Sequence, residues 1–164
     1  MDGVKHMVIL KNLFHRKKHA IPFIETQKYH TITKRILTGE TVVFKDRKIA
    51  VMAEWDCGAT YSSISDDLVQ ALNLKPIKSD ISITTNNSDL VNVYEVIVLL
   101  NNQYPVKVEA QAVSNINATG IDLLIGMDII SLGDFAISNY KGKTCFSFRI
   151  PSQNHIDFKN FNMP

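Results

Sequence analysis

An apolar run that stops on an acid is the strongest constraint in this chain. Ile49-Ala50-Val51-Met52-Ala53 leads through Glu54 and Trp55 to Asp56, and Gly58 follows in Asp56-Cys57-Gly58-Ala59-Thr60. The run has the length of a strand, and aspartate is a poor strand residue, so the carboxylate belongs to the turn at the strand's end. Glycine lets the backbone turn sharply there and leaves room beside the carboxylate for a second chain or a substrate. One acid delivered to a tight turn suits acid–base chemistry better than packing.

A second landmark lies further along. Leu123-Leu124-Ile125-Gly126-Met127-Asp128-Ile129-Ile130 reads as an apolar strand, a glycine and a short helix, and Asp134-Phe135-Ala136-Ile137 as the strand after it. The interval between the landmarks has room for a helix, a hairpin and further strands. In this order, over about residues 40 to 150, the two stretches resemble the retropepsin-like aspartic proteases, whose signature is Asp-Thr/Ser-Gly-Ala at the end of such a strand. The resemblance implies an all-β fold, a closed β-barrel of the acid-protease kind with one or two short helices, preceded here by an N-terminal extension. The chain departs from the pattern at Cys57. The family's threonine or serine both donates and accepts hydrogen bonds that brace paired loops across a two-fold axis, whereas a thiol does either weakly.

The resemblance also implies a chemistry. Acid proteolysis uses two close carboxylates sharing a proton: the ionised one activates a water and the protonated one polarises the scissile carbonyl. This chain has one Asp-x-Gly-Ala site, so the implied enzyme is a symmetric homodimer with Asp56 supplied by each copy. In the active-site loop, the Gly58 N–H is expected to point toward the carboxylates, Ala59 to keep the loop small, Thr60 to hold it from behind, and Cys57 to face its own copy across the dyad or fill a small buried space. Leu124, Ile125 and Gly126 form the supporting landmark. The implied partner is a peptide or protein substrate, and no cofactor or metal is called for. The alternative is a catalytically silent module of the same fold, serving dimerisation or peptide binding.

Composition bounds these readings. The chain has 164 residues, 45% of them hydrophobic, enough for one domain with a core and additional segments. Residues 1–48 hold 11 Lys and Arg against 4 Asp and Glu, and the remainder holds 7 against 12. The basic cluster at 11–20 reads either as a docking arm for an acidic surface, nucleic acid included, or as a solvated linker. His15 and His19 stand at helical spacing, but no Glu or Cys completes a ligand set nearby. The apolar pieces before Phe14 are too short for a membrane span and lack the cleavage site of a secretory signal, which predicts a cytoplasmic protein with reduced Cys57 and Cys145.

Local patterns fill in the order. Residues 1–28 read as the basic extension, 29–150 as the protease-like domain and 151–164 as a loosely attached tail. Thr41 to Lys45 and Ile49 to Ala53 predict a hairpin turning at Asp46-Arg47. Ser65 caps a helix over 66–74, with Asp66 and Asp67 in its first turn and Pro76 as its stop. Strands follow over 81–84, 91–98 and 104–113. The polar turn between the first two places Thr84, Thr85, Asn86, Asn87 and Ser88 at the position of a flap over bound peptide, although the glycine-rich flap tip is missing. A second hairpin, turning at Tyr140 to Lys143, closes the domain.

Overall fold

The computed structural model describes residues 21–83 and 88–160. The basic cluster at 11–20, the His15/His19 pair and the flap-tip residues Thr84, Thr85, Asn86 and Asn87 lie outside them. Among the described residues the chain runs β1 (Phe23–Lys28), β2 (Ile36–Phe44), β3 (Arg47–Trp55), β4 (Ser63–Ser65), α1 (Asp66–Leu72), β5 (Lys78–Ile83), β6 (Ser88–Leu100), β7 (Tyr104–Val113), β8 (Leu123–Ile125), the one-turn α2 (Met127–Ile130), β9 (Asp134–Ser138) and β10 (Cys145–Ile150). No described helix is long and apolar enough to cross a membrane.

Six strands close into a barrel in the order β2-β3-β8-β4-β7-β6. The ring shuts where Thr41, Val42 and Val43 pair with Leu99, Val98 and Ile97. β6 is long enough to serve two partners on that edge: Ser88–Val93 pairs with β5, and Ile97–Leu99 with β2. Alternation places Ile36, Thr38, Glu40 and Val42 of β2 inside the barrel. The β6–β7 turn puts Asn101 and Asn102 at φ of 46° and 57°, a region asparagine tolerates better than most residues.

The predicted helix after the active-site loop is present. Ser65 Oγ accepts from the Leu68 N–H at 3.1 Å and donates to Asp122 Oδ1 at 2.8 Å. The helix ends at Leu72 because Asn73 turns left-handed (φ 53°, ψ 49°), before Pro76 is reached.

A smaller sheet, β1-β10-β9, covers one end of the barrel. Residues 23–28, within the segment read as an extension, are therefore a strand, with Phe23 opposite Ile150 and Lys28 opposite Cys145. Trp55 joins the two sheets, its ring 5.0 Å from that of Phe146 and 4.8 Å from that of Phe148. The tail is tied where it leaves β10. Asp134 accepts from Arg149 Nε at 2.8 Å, from the Gln153 N–H at 3.0 Å and from the Ser152 hydroxyl, while Arg149 also reaches Asn154 Oδ1 at 2.7 Å.

Candidate active site

The site begins with the anchoring of β3. Trp55 is buried in its aromatic cluster, and β8 runs parallel to β3 with Ile125 opposite Trp55. The next backbone N–H, that of Asp56, donates to Ile125 O at 2.9 Å, so the landmark strand fixes the point where the chain leaves the barrel. There the Gly58 N–H donates to Asp56 Oδ1 at 2.8 Å and the Ala59 N–H to Asp56 O at 3.2 Å. A Cβ on Gly58 would stand 3.1 Å from Asp56 Oδ1, closer than most side chains approach, which accounts for glycine here. Asp56 and Ala59 are half-buried, while Cys57, Gly58 and Thr60 are exposed. The exposed Cys57 thiol does not fill a buried space within the chain.

Behind this loop is a brace that sequence reasoning missed. Asp128 accepts from the Ser62 hydroxyl at 2.7 Å and from the Ser62 N–H at 3.0 Å, and Ser62 Oγ accepts from the Gly126 N–H at 3.1 Å. The Met127 N–H donates to Ala59 O at 2.8 Å and the Asp128 N–H to Thr60 O at 3.2 Å. Thr60 therefore holds the loop through its carbonyl. The Ala59 and Thr60 carbonyls are both satisfied by the start of α2, and the two sequence landmarks become one hydrogen-bonded unit. The Asp128 carboxylate is engaged with Ser62 on the supporting side of the loop. The legible signal was an acid in the first turn of a helix following glycine.

A different carboxylate pair is buried where the smaller sheet meets the barrel. Glu25 of β1 and Glu40 of β2 are buried, at 6% and 1% exposure. Trp55 Nε1 donates to Thr38 Oγ1 at 2.8 Å, the Thr38 hydroxyl donates to Glu40 Oε1, and the Asn101 N–H donates to Glu40 Oε2 at 2.7 Å. Among the described residues Glu25 Oε2 has no hydrogen-bond partner. Burial, reinforced by the charge of Glu40, pushes the Glu25 carboxyl up to about 8, and burial raises Glu40 as well. Neither acid reaches the exposed loop, so both belong to the scaffold.

Beside the loop, a cavity of about 350 Å³ runs from Gly58–Tyr61 to Ile81 and Ser82 of β5. Ser88, expected in the flap, is the first residue of β6, opposite Ile83. The β5–β6 hairpin therefore projects from the barrel on the side of the Asp56 loop.

No protein-family model matches this sequence, and none of the curated proteins does. Among solved structures, the chain is similar to a retropepsin-like aspartic protease from Rickettsia conorii, with a TM-score of 0.53 and 12% identity over 82% of this chain and 99% of that one. The fold is retropepsin-like. Simian Foamy Virus (mac) protease also aligns, with a TM-score of 0.41 and 18% identity over 57% of this chain and 92% of that one. The retropepsin-like fold accounts for the closed barrel, the order of the landmarks and the short helix after Gly126, as the resemblance in the sequence implied.

Proposed function

We propose that the chain is an aspartic endopeptidase that works as a homodimer, with one Asp56 from each copy at the dyad. The observation that carries this reading is the loop itself. An exposed turn presents Asp56 with one carboxylate oxygen held by the Gly58 N–H, on a support formed by Ile125, Gly126, Ser62 and Asp128. Preorganisation of this kind is what proton transfer requires of a reacting carboxylate.

In the dimer, two like charges a few ångströms apart resist simultaneous ionisation, so one carboxyl acts as base and the other as acid. The ionised Asp56 takes a proton from water as its oxygen attacks the scissile carbonyl, and the protonated Asp56 gives its proton to the carbonyl oxygen. Collapse of the tetrahedral species breaks the C–N bond as the leaving nitrogen is protonated. The extended peptide lies between the loop and the β5–β6 hairpin.

The deciding experiment is cleavage of a diverse peptide pool from roughly pH 3.5 to 7.5, from acid to neutral, beside Asp56→Asn at equal concentration. Cleavage under acidic conditions that vanishes in the variant supports the proposal. A folded dimer that cuts nothing sinks it.

Cys57 favours a second reading, a silent dimerisation or peptide-binding module. Its exposed thiol stands where a stronger hydrogen-bonding hydroxyl would brace the paired loops. That reading predicts peptide binding without turnover in the same assay.

A further inference from the structure

We infer that the cavity beside the Asp56 loop is a specificity subsite for a neutral hydrogen-bonding side chain, an amide or a hydroxyl, and that Gln111 selects it. The inference rests on the peptide-binding reading above and adds a substrate class to it.

Three neighbouring strands build the floor. Ser63 of β4 stands opposite Gln111 of β7 on one side and Leu124 of β8 on the other, so these three side chains share one face of the barrel wall in a row. Alternation along β7 turns Val106, Val108 and Ala110 into the core, and Lys107, Glu109 and Gln111 outward. Lys107 and Glu109 are exposed, as outward residues should be, yet Gln111 is only 7% exposed. The cavity between the Gly58–Tyr61 loop and Ile81 is what Gln111 faces.

Its carboxamide carries two donors and an acceptor. Among the described residues it makes no hydrogen bond through them, and neither does the hydroxyl of Ser63, which is 8% exposed. The two groups stand in register and line the cavity next to the candidate catalytic loop, open to a ligand that can both donate and accept.

Nearby charges favour neutrality. Lys78 and Glu109, beside Gln111, satisfy each other in an ion pair. The carboxylate of Asp56, bonded to Gly58 at the cavity's edge, disfavours an acidic side chain. Leu124 and Ile81 supply apolar contact for the methylene or methyl part of the entering group. Asn, Gln, Ser and Thr combine these properties.

The test is selection by binding. Random peptides are panned on the full chain carrying Asp56→Asn, and the retained pool is sequenced. Cleavage of the same pool by the parent chain is measured separately. Enrichment of Asn, Gln, Ser and Thr at one position is expected. Adding Gln111→Leu, close to Gln in size, should shift that position toward Leu, Ile and Val by about tenfold, as hydrogen-bonding pockets discriminate strongly against partners that leave them unpaired. Ser63→Ala reports the hydroxyl independently, with a smaller shift in the same direction.

The proposal is overturned if no position favours polar side chains, if a natively melting Gln111→Leu chain keeps the parent preference, or if no peptide is retained. Polar selection without cleavage by the parent chain would support the subsite and remove the protease reading. Cleavage with no polar preference would do the reverse.

Discussion

Gly126 presses against the backbone of Tyr61 so closely that a Cβ on it would stand 2.6 Å from the Tyr61 carbonyl carbon and 2.8 Å from its oxygen. Its φ of −94° is open to any residue, so the requirement for glycine is one of space. Gly126→Ala should lower stability by about 1–3 kcal/mol, the usual cost of overpacking, with a matching fall in melting temperature and loss of peptide cleavage. Gly39→Ala is the control: nothing lies within 4 Å of the added methyl, and its melting temperature should stay at or slightly above the parent's.

The brace makes a separate prediction. Asp128 accepts two hydrogen bonds from Ser62, so Asp128→Asn turns an NH₂ donor toward one of those donors. A loss of about 1–3 kcal/mol in denaturant unfolding is expected from the buried bond left unmade. Turnover should fall further than stability explains, because the displaced loop carries Asp56. A variant with native stability and full turnover would show that the brace does not position the loop.

The buried acids set a pH dependence whose sign can be worked out. Glu25 has an ordinary carboxyl value of 4.5 and is raised to about 8 in the fold. Between these values the folded chain holds a proton that the unfolded chain has released, so stability falls as pH rises through this interval. The contribution is complete below about 4.5 and gone above about 8. Melting temperatures measured from acid to mild alkali should decline, and Glu25→Gln should flatten the decline. An identical slope in the variant would show that other groups govern it.

At the candidate dyad, Cys57→Thr restores a hydroxyl that can donate and accept. If that hydroxyl braces the paired loops, dimer affinity should rise about tenfold, the equivalent of one or two ordinary hydrogen bonds, as read by sedimentation equilibrium. In the parent chain a maleimide should label the exposed Cys57 ahead of the half-buried Cys145.

How much of this was legible in the sequence depended on how local each signal was. The β2–β3 hairpin, the Ser65 cap and the two landmarks all follow from short patterns, and the structure contains each of them. The strand Phe23–Lys28 was hidden because its buried position is a glutamate, which breaks the expected alternation of apolar and polar residues. Closure of the barrel through Val42 and Val98 joins residues far apart in the chain, and no local pattern carries that pairing. The role of Ser62 was invisible for a similar reason: a serine before a strand is unremarkable until Asp128 folds back onto it. Gln111 looked like an ordinary outward residue of β7, and only the cover supplied by the Gly58–Tyr61 loop and β5 makes its burial notable.

The attachment of the tail at Asp134 bears on life in acid. Burial pushes this carboxyl up, but hydrogen bonds from Ser152, the Gln153 N–H and Arg149, with the Arg149 charge, outweigh it and hold the value at about 2. A depressed carboxyl contributes stability above its ordinary value and loses it only as pH falls through the lowered one. Mild acidification therefore leaves this mooring charged and closed. β10 keeps its fastening under the conditions in which the proposed chemistry would run.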